Sequence, residues 1–426
     1  MQRSEEGIDI SRYQSQWEKL RAVAGDQSFE EKFSLFEKLT GLPSPEKILR
    51  EEPSALQNIK SRCPHPQKTL PELSLSPDEI LDRITGGWFG RAAGCLLGKP
   101  VEKISRDGIR NILKANDRWP LSDYFTEHGL PEEILQKYSW NRHGGRDSLK
   151  ENIICMPEDD DLNYTLLNLH IIETYGKNFT SANIAEAWLS MLPVLSTFTA
   201  ERIAYSNSLA GMDPPSTARI RNPYREWIGA QISADLWGWI SPGNPSQAAE
   251  FAWRDAHLSH CGNGIYGEMF YAAVIAAAFI SDDPEELLEI GLCQIPARSR
   301  FALAMQEVKT ISKVEKTYEN ILNHLYERVG GYYWVHSINN GALVAAALLL
   351  GAGDFEQSIC NAVMGGWDTD CNGATVGSIV GTMIGASKLP PKWIDPLNNR
   401  IRSSVKGFDN QAIDEAALRT TQIIIR

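Results

Sequence analysis

Three observations predict an all-α fold for this chain: strand signatures are scarce, apolar residues recur at helical spacing, and glycine repeats every fourth residue in two separate runs. The helical spacing is carried by Phe29, Phe33 and Phe36, by Leu162, Leu166 and Leu169, and by Leu343, Ala347 and Leu350. The glycine runs are Gly86, Gly90, Gly94 and Gly98, then Gly373, Gly377, Gly381 and Gly385, each on one face of a helix. Glycine costs about 1 kcal/mol per helical position relative to alanine, so such a stripe needs a reason, and close approach of another backbone is the usual one. Should the stripes pack on each other or on neighbours, Glu102 after the first would converge with Asp368 and Asp370 before the second.

Taken in order, residues 1 to about 63 read as two or three amphipathic helices, one opened by the capping box Ser28-Phe29-Glu30-Glu31. The stretch Cys63-Pro64-His65-Pro66-Gln67-Lys68-Thr69-Leu70-Pro71 cannot continue a helix and reads as a linker, with Cys63 and His65 as turn residues rather than ligands. A strong helix start follows at Ser76-Pro77-Asp78-Glu79, with a Ser N-cap, Pro at the first helical position and Glu at the third. The expected division is an N-terminal helical extension with its linker over 1–75 and a main domain over 76–426.

With 42% apolar and 23% charged residues among 426, the composition is that of a globular protein with a sizeable core. The 54 acidic against 42 basic residues, net charge -12 with no long basic run, argue against a nucleic-acid partner. Seven scattered cysteines without a CxxC pair indicate neither a disulfide framework nor a zinc knuckle, and fit a reducing, cytoplasmic compartment. No signal peptide opens the chain, and the apolar stretches Phe270 to Ile280 and Ala342 to Leu350 are too short to span a bilayer. Arg91 and Lys99 interrupt the first glycine run, and the second ends at Lys388, so neither reads as a membrane helix.

Two acidic clusters carry the chemistry. Pro157-Glu158-Asp159-Asp160-Asp161 and Trp367-Asp368-Thr369-Asp370-Cys371-Asn372-Gly373 each open a helix roughly 200 residues apart. An aspartate at a helix start serves as a cap and complements the helix dipole. Four consecutive acids exceed that need, leaving metal ligation and a solvated acidic turn as the two readings of the first cluster. The second matches the opening of an EF-hand loop, but Ile379 stands where the bidentate carboxylate belongs. A DDxxD diphosphate site of the isoprenoid type is a further alternative, with Asn163 where its third acid should be.

These motifs together resemble the ADP-ribosylglycohydrolase family over about residues 80 to 395. The marks are Gly86-Gly87-Trp88-Phe89-Gly90 through Gly98-Lys99-Pro100-Val101-Glu102, then Glu158-Asp159-Asp160, and last Gly366-Trp367-Asp368-Thr369-Asp370 before the glycine-rich helix. The resemblance implies a compact orthogonal helical bundle of that type. It also implies a hydrolase that cleaves a glycosidic bond to ribose, with two magnesium ions (Mg2+, or Mn2+) in a cleft. By that resemblance Asp159, Asp160, Asp368 and Asp370 are metal ligands, and Glu102 is the acid near the reactive ribose. The chain departs from the family at Glu158 and Cys371, where Thr, or Thr or Ser, is common. Glu158 adds a carboxylate and is expected to bind metal, whereas the soft sulfur of Cys371 suits Mg2+ poorly. Glu102 is the expected proton acceptor during attack by water, with Asp159 or Asp370 as the rival, and a plain surface acid is the other reading of Glu102.

Polar and aromatic residues mix with glycine at Ser259-His260-Cys261-Gly262-Asn263-Gly264-Ile265-Tyr266 and at Tyr332 to Gly341, a composition typical of ligand-binding loops. His260, Asn263, Gly264, Tyr266, His336 and Asn340 are the expected substrate contacts, with simple packing the alternative for each aromatic. No glycine-rich diphosphate-binding segment is evident, which sets a smaller N- or O-glycoside beside an ADP-ribosylated molecule as the expected substrate. The functional alternatives are a metal-dependent ADP-ribose-binding module without turnover and an all-α isoprenoid-diphosphate enzyme.

Overall fold

The computed structural model describes residues 1–23, 28–64, 70–315 and 317–425. It is all-α; the strands among the described residues, Arg400–Ile401 and Gln411–Ala412, form one short antiparallel ladder. The expectation for His65, and most of the proline-rich linker, lies outside the described residues. Cys63 follows the helix Leu56–Lys60 and is buried, its thiol directed at the Ile59 carbonyl.

Two helices form the central pair: Pro77–Gly98, the first glycine helix, and Thr369–Ile384, the second. The first begins with the capping box read from the sequence: Glu79 N–H donates to Ser76 Oγ (3.3 Å), and Ser76 N–H donates to Glu79 Oε2 (2.8 Å). The helices run antiparallel with their stripes in contact. A Cβ placed on Gly94 would sit 1.9 Å from the Gly373 carbonyl oxygen, and one on Gly377 would sit 2.1 Å from that of Gly90. No side chain fits between backbones this close, which accounts for the glycines from Gly86 to Gly98 and from Gly373 to Gly381; Gly385, expected as the last of the second stripe, instead ends that helix with φ +82° beside Asp82. Trp88, from the flank of the first helix, packs on Trp239 at 5.0 Å and donates to Thr420 Oγ1.

Around this pair lie the helices whose apolar runs stood out in the sequence. In Asn263–Ala277 every residue is buried, and Ser337–Gly351 is buried as far as Leu348. A helix apolar on all sides belongs in the middle of a core. The acidic helix Asp160–Tyr175 packs beside them, its N-cap Asp159 accepting from Asp161 N–H at 3.0 Å. The segment before it is held by Met156, which exchanges backbone hydrogen bonds with Arg400 and Arg402.

The N-terminal segment contains Ser11–Arg21 and Phe29–Thr40, where Phe29 and Phe33 stack at 5.9 Å. Ser28 stands at the N-cap of the latter, but the expected capping box is not formed. With ψ of 16° its backbone lies outside the extended region from which an N-cap side chain reaches back to the helix. Arg300 ties this N-terminal segment to the rest of the chain, its guanidinium binding Glu52 Oε2 (2.7 Å), Glu226 Oε1 (2.9 Å) and the Glu5 carbonyl (2.9 Å). Gln2 is buried and donates to Glu226 Oε2 at 2.6 Å.

Two consequences are measurable. Gly94→Ala forces a methyl group into the Gly373 carbonyl, and overpacking of a tight core costs about 1–3 kcal/mol or more, so denaturant titration is expected to show at least that loss. Glu268 is wholly buried, and burial followed by the neighbouring Asp255 raises its pKa well above 4.5. Its contribution to stability is therefore full below about pH 4.5 and is lost as pH rises through the folded-state pKa. Thermal melts from pH 5 to pH 8 are expected to fall more steeply for the wild type than for Glu268→Gln, which has no carboxylate to ionise.

Candidate metal centre

Because Gly98 lies against Thr369, with a built Cβ only 2.1 Å from the Thr369 carbonyl oxygen, the end of the first glycine helix meets the start of the second. Thr369 Oγ1 donates to the Gly98 carbonyl at 2.8 Å and fastens the junction. The chain leaving one helix carries Glu102, and the chain entering the other carries Asp368 and Asp370. One potential ligand atom from each of these three residues lies within 4.8 Å of the others. The same limit groups Asp161 with Asp370 and Cys371, and Cys95 with Asp159 and Asp161.

The local backbone explains how Asp368 is presented. Gly366 (φ +79°) and Trp367 (φ +57°) make a left-handed turn, a conformation that costs a tryptophan roughly 1–3 kcal/mol. Stacking of Trp367 on Tyr326, with centroids 4.4 Å apart, and the Tyr326 hydroxyl on the Gly365 carbonyl (2.8 Å) hold it there. Asn340 completes the support, its Oδ1 accepting from Asp368 N–H (3.1 Å) and Asn372 Nδ2 (2.8 Å).

The first acidic cluster is held by residues one step beyond the glycines. Arg91, Cys95 and Lys99 follow Gly90, Gly94 and Gly98 and make a second stripe, facing the acidic helix. Arg91 is wholly buried and donates to Asp161 Oδ1 (2.9 Å), the Asp161 carbonyl (2.8 Å), Asp235 Oδ2 (2.5 Å) and the Ile232 carbonyl (2.5 Å). Lys99 Nζ is paired with Asp159 Oδ2. On the other side Glu102 accepts from Asn141 Nδ2, and its Oε1 lies 3.2 Å from Lys103 Nζ.

Burial, and then the charge of Glu102, raise the Asp368 pKa to about 7 and hold that of Asp370 well above the carboxylate range. At Asp160 burial is joined by the charges of Asp159 and Asp161, and at Asp161 burial outweighs Arg91, so both are also raised. At Asp159 burial acts upward too, yet the Lys99 charge and hydrogen bond leave the pKa below its usual value. Crowded acids that resist ionisation together are what a bound cation relieves. The oxygen-only set Glu102, Asp368 and Asp370 fits a hard divalent ion such as Mg2+ or Mn2+. Burial and the surrounding carboxylates raise the Cys371 thiol well above its normal pKa, a poor state for a ligand.

Of the residues expected to bind metal, Asp159, Asp368 and Asp370 stand in these groups, and Glu102 joins them. Asp160 is half-buried and lies outside all three. Glu158 is exposed, its Oε1 accepts from Asn163 Nδ2 (2.8 Å) and Ser404 Oγ (2.6 Å), and it too stands outside the three groups. Sequence reasoning passed over Asp161, Cys95 and Lys99. Four-residue spacing beside the glycine stripe was the signal that could have found the latter two.

Most of the expected substrate contacts are engaged by the chain itself. Asn263 Nδ2 donates to Glu52 (2.8 Å) and Glu226 (2.7 Å), its Oδ1 accepts from Phe301 N–H, and the Tyr266 hydroxyl donates to the Pro53 carbonyl (2.5 Å). Gly264 packs on Arg225 and His260; His260 is fully buried, pairs with Ser259 Oγ, and is held by burial at a pKa of about 3. His336 caps the helix Ser337–Gly351 through Ile338 N–H, with Glu5 4.0 Å from its Nε2. Asn340 is buried, its Oδ1 on the segment bearing Asp368 and its Nδ2 donating to the Trp334 (2.8 Å) and His336 (2.9 Å) carbonyls. Asn263, Tyr266 and His336 thus face Glu52, Pro53 and Glu5 from the first 75 residues.

The chain belongs to the ADP-ribosylglycohydrolase family, whose sequence profile matches residues 76–422. The family is one of glycosidic hydrolases. An uncharacterized protein of Archaeoglobus fulgidus is 23% identical over 326 residues, 73% of this chain and 90% of that protein. A solved structure described as an ADP-ribosylglycohydrolase-related protein complex aligns with a TM-score of 0.51 and 18% identity, over 82% of this chain and 99% of that one. At that identity the likeness is one of fold. No helix among the described residues is long and apolar enough to cross a membrane.

Removing one partner of a buried ion pair strands the other, at a cost of about 3–5 kcal/mol. Arg91→Met, which leaves Asp161 and Asp235 without their counter-charge, is expected to lose that much stability in urea unfolding.

Proposed function

We propose that this chain is a divalent-metal-dependent hydrolase that cleaves an N- or O-glycosidic bond to ribose. Its substrate is an ADP-ribosylated molecule or a related small riboside. The observation that carries this reading is the meeting of Glu102 with Asp368 and Asp370 at the joined ends of the two glycine helices, in a chain of this family. Glu102, Asp368 and Asp370 would hold the ion, with Asp161 adjoining them through Asp370. A Mg2+ or Mn2+ ion bound there supplies Lewis acidity and a firm point of attachment for vicinal ribose hydroxyls.

The chain's own groups then divide the work. Glu102 accepts the proton of the attacking water as positive charge develops at the anomeric carbon, and it is the half-buried member of the group, open to a substrate. Asn141 Nδ2, hydrogen-bonded to the Glu102 carboxylate, orients it. Asp370, held by the N–H of Cys371 at 3.1 Å, keeps the negative field that favours the oxocarbenium-like centre. Residues 1–75 are read as an extension that braces the loops around Asn263 and His336, not as part of the reacting site.

The test is product detection after incubation with ADP-ribosyl-arginine, ADP-ribosyl-serine peptide, O-acetyl-ADP-ribose and simple ribosides, with Mg2+ or EDTA. Turnover that needs metal is expected, and Glu102→Gln is expected to lower kcat by about 10²–10⁴-fold, the usual worth of a general base. Metal-dependent ADP-ribose binding without product from any substrate would instead identify a binding module. Diphosphate release from an isoprenoid diphosphate would identify the third reading.

A further inference from the structure

Lys99 is an unusual neighbour for a metal site. Its ammonium is paired with Asp159, and the two side chains are only 3% and 4% exposed. The lysine stem is enclosed by a loop shaped to it: Gly144 adopts φ +77°, and a Cβ there would sit 2.8 Å from Lys99 Cε and 3.7 Å from Pro157 Cβ. That loop is tied down beside the lysine, Asn141 N–H donating to the Pro100 carbonyl at 3.0 Å. The charge is therefore built into the interior and is not a surface lysine folded inward.

The two ends of the acidic constellation differ in kind. Around Asp159 the partners are the Lys99 ammonium and the Cys95 thiol, whose sulfur is also 3.9 Å from Asp161 Oδ2. A divalent ion there would face a fixed positive charge and a soft donor ill suited to Mg2+. Around Glu102, Asp368 and Asp370 all three donors are carboxylate oxygens. The cation paired there is Lys103, a side chain that is 57% exposed and free to move into solvent.

We infer that Lys99 is a built-in cation standing in for one of the two divalent ions that the family resemblance implies. The chain then holds a single ion, at Glu102, Asp368 and Asp370. This rests on the reading of the constellation as a metal site, and it assigns Lys99 as a positioning residue that fixes Asp159 and the start of the acidic helix.

The experiment is a Mn2+ titration of the full-length, EDTA-stripped protein, with stoichiometry from calorimetry and the spin state from electron paramagnetic resonance. The expected result is one Mn2+ per chain with an uncoupled six-line spectrum. Two ions per chain with an exchange-coupled spectrum would overturn the inference and leave the metal reading standing, whereas no bound Mn2+ would overturn both. Lys99→Met keeps the stem under Gly144 and removes the charge. It is expected to raise the stoichiometry from one to two, and a variant that melts cooperatively yet still binds one ion would count against the inference. Neither readout involves a substrate, so failure to find a glycosidic substrate leaves the result unaffected.

Discussion

The contact between the backbones of the two glycine helices is the constraint on which the rest of the structure depends. With side chains excluded from the seam, the helices approach until the carbonyls of Gly86, Gly90 and Gly94 and those of Gly373, Gly377 and Gly381 occupy the space a methyl group would need on the partner glycine. The seam is seen in one register, Gly86 against Gly381, Gly90 against Gly377, Gly94 against Gly373 and Gly98 against Thr369. Register matters here beyond packing: it decides which residue at the end of one helix faces which at the start of the other. Glu102 reaches Asp368 and Asp370 for that reason.

Charge placement follows from the same seam. Residues one position beyond the glycines are turned toward the acidic helix, so Arg91 and Lys99 enter the interior beside it and meet Asp161 and Asp159. Buried charges are tolerable only when paired and hydrogen-bonded, and Arg91 meets that condition with four acceptor contacts. The outcome is an acidic constellation of two characters. One side is neutralised by the chain's own cations; the other, lined by carboxylate oxygens, has the chemistry of a hard-ion site in a fold whose family hydrolyses glycosidic bonds.

The glycine stripes were legible because their signal is local and periodic: a costly residue recurring every fourth position has few explanations in a helix. The acidic clusters were legible for a similar reason, since their density exceeds what helix capping requires. Asp161 was harder to single out from Asp160, because neighbouring residues at a helix start point in directions about 100° apart and only the packed helix shows which one turns inward. Glu158 reads as one more carboxylate in a row, yet Ser404, far along the chain, draws it outward. The loops around Asn263 and His336 were harder to read for another reason. Buried polar residues and glycines are needed wherever a polar partner docks closely, and composition does not distinguish a ligand from the chain's own Glu5, Glu52 and Pro53.

By itself, then, the sequence determined the helical class, the two close-packing faces and the acids at their ends, because these follow from residue spacing and from the energetics of single residues. Tertiary structure decided which acids share a group, which of them Arg91 and Lys99 neutralise, and that the N-terminal extension covers the polar loops. Those outcomes depend on distances between segments hundreds of residues apart, set by the register of a backbone seam that no local pattern encodes.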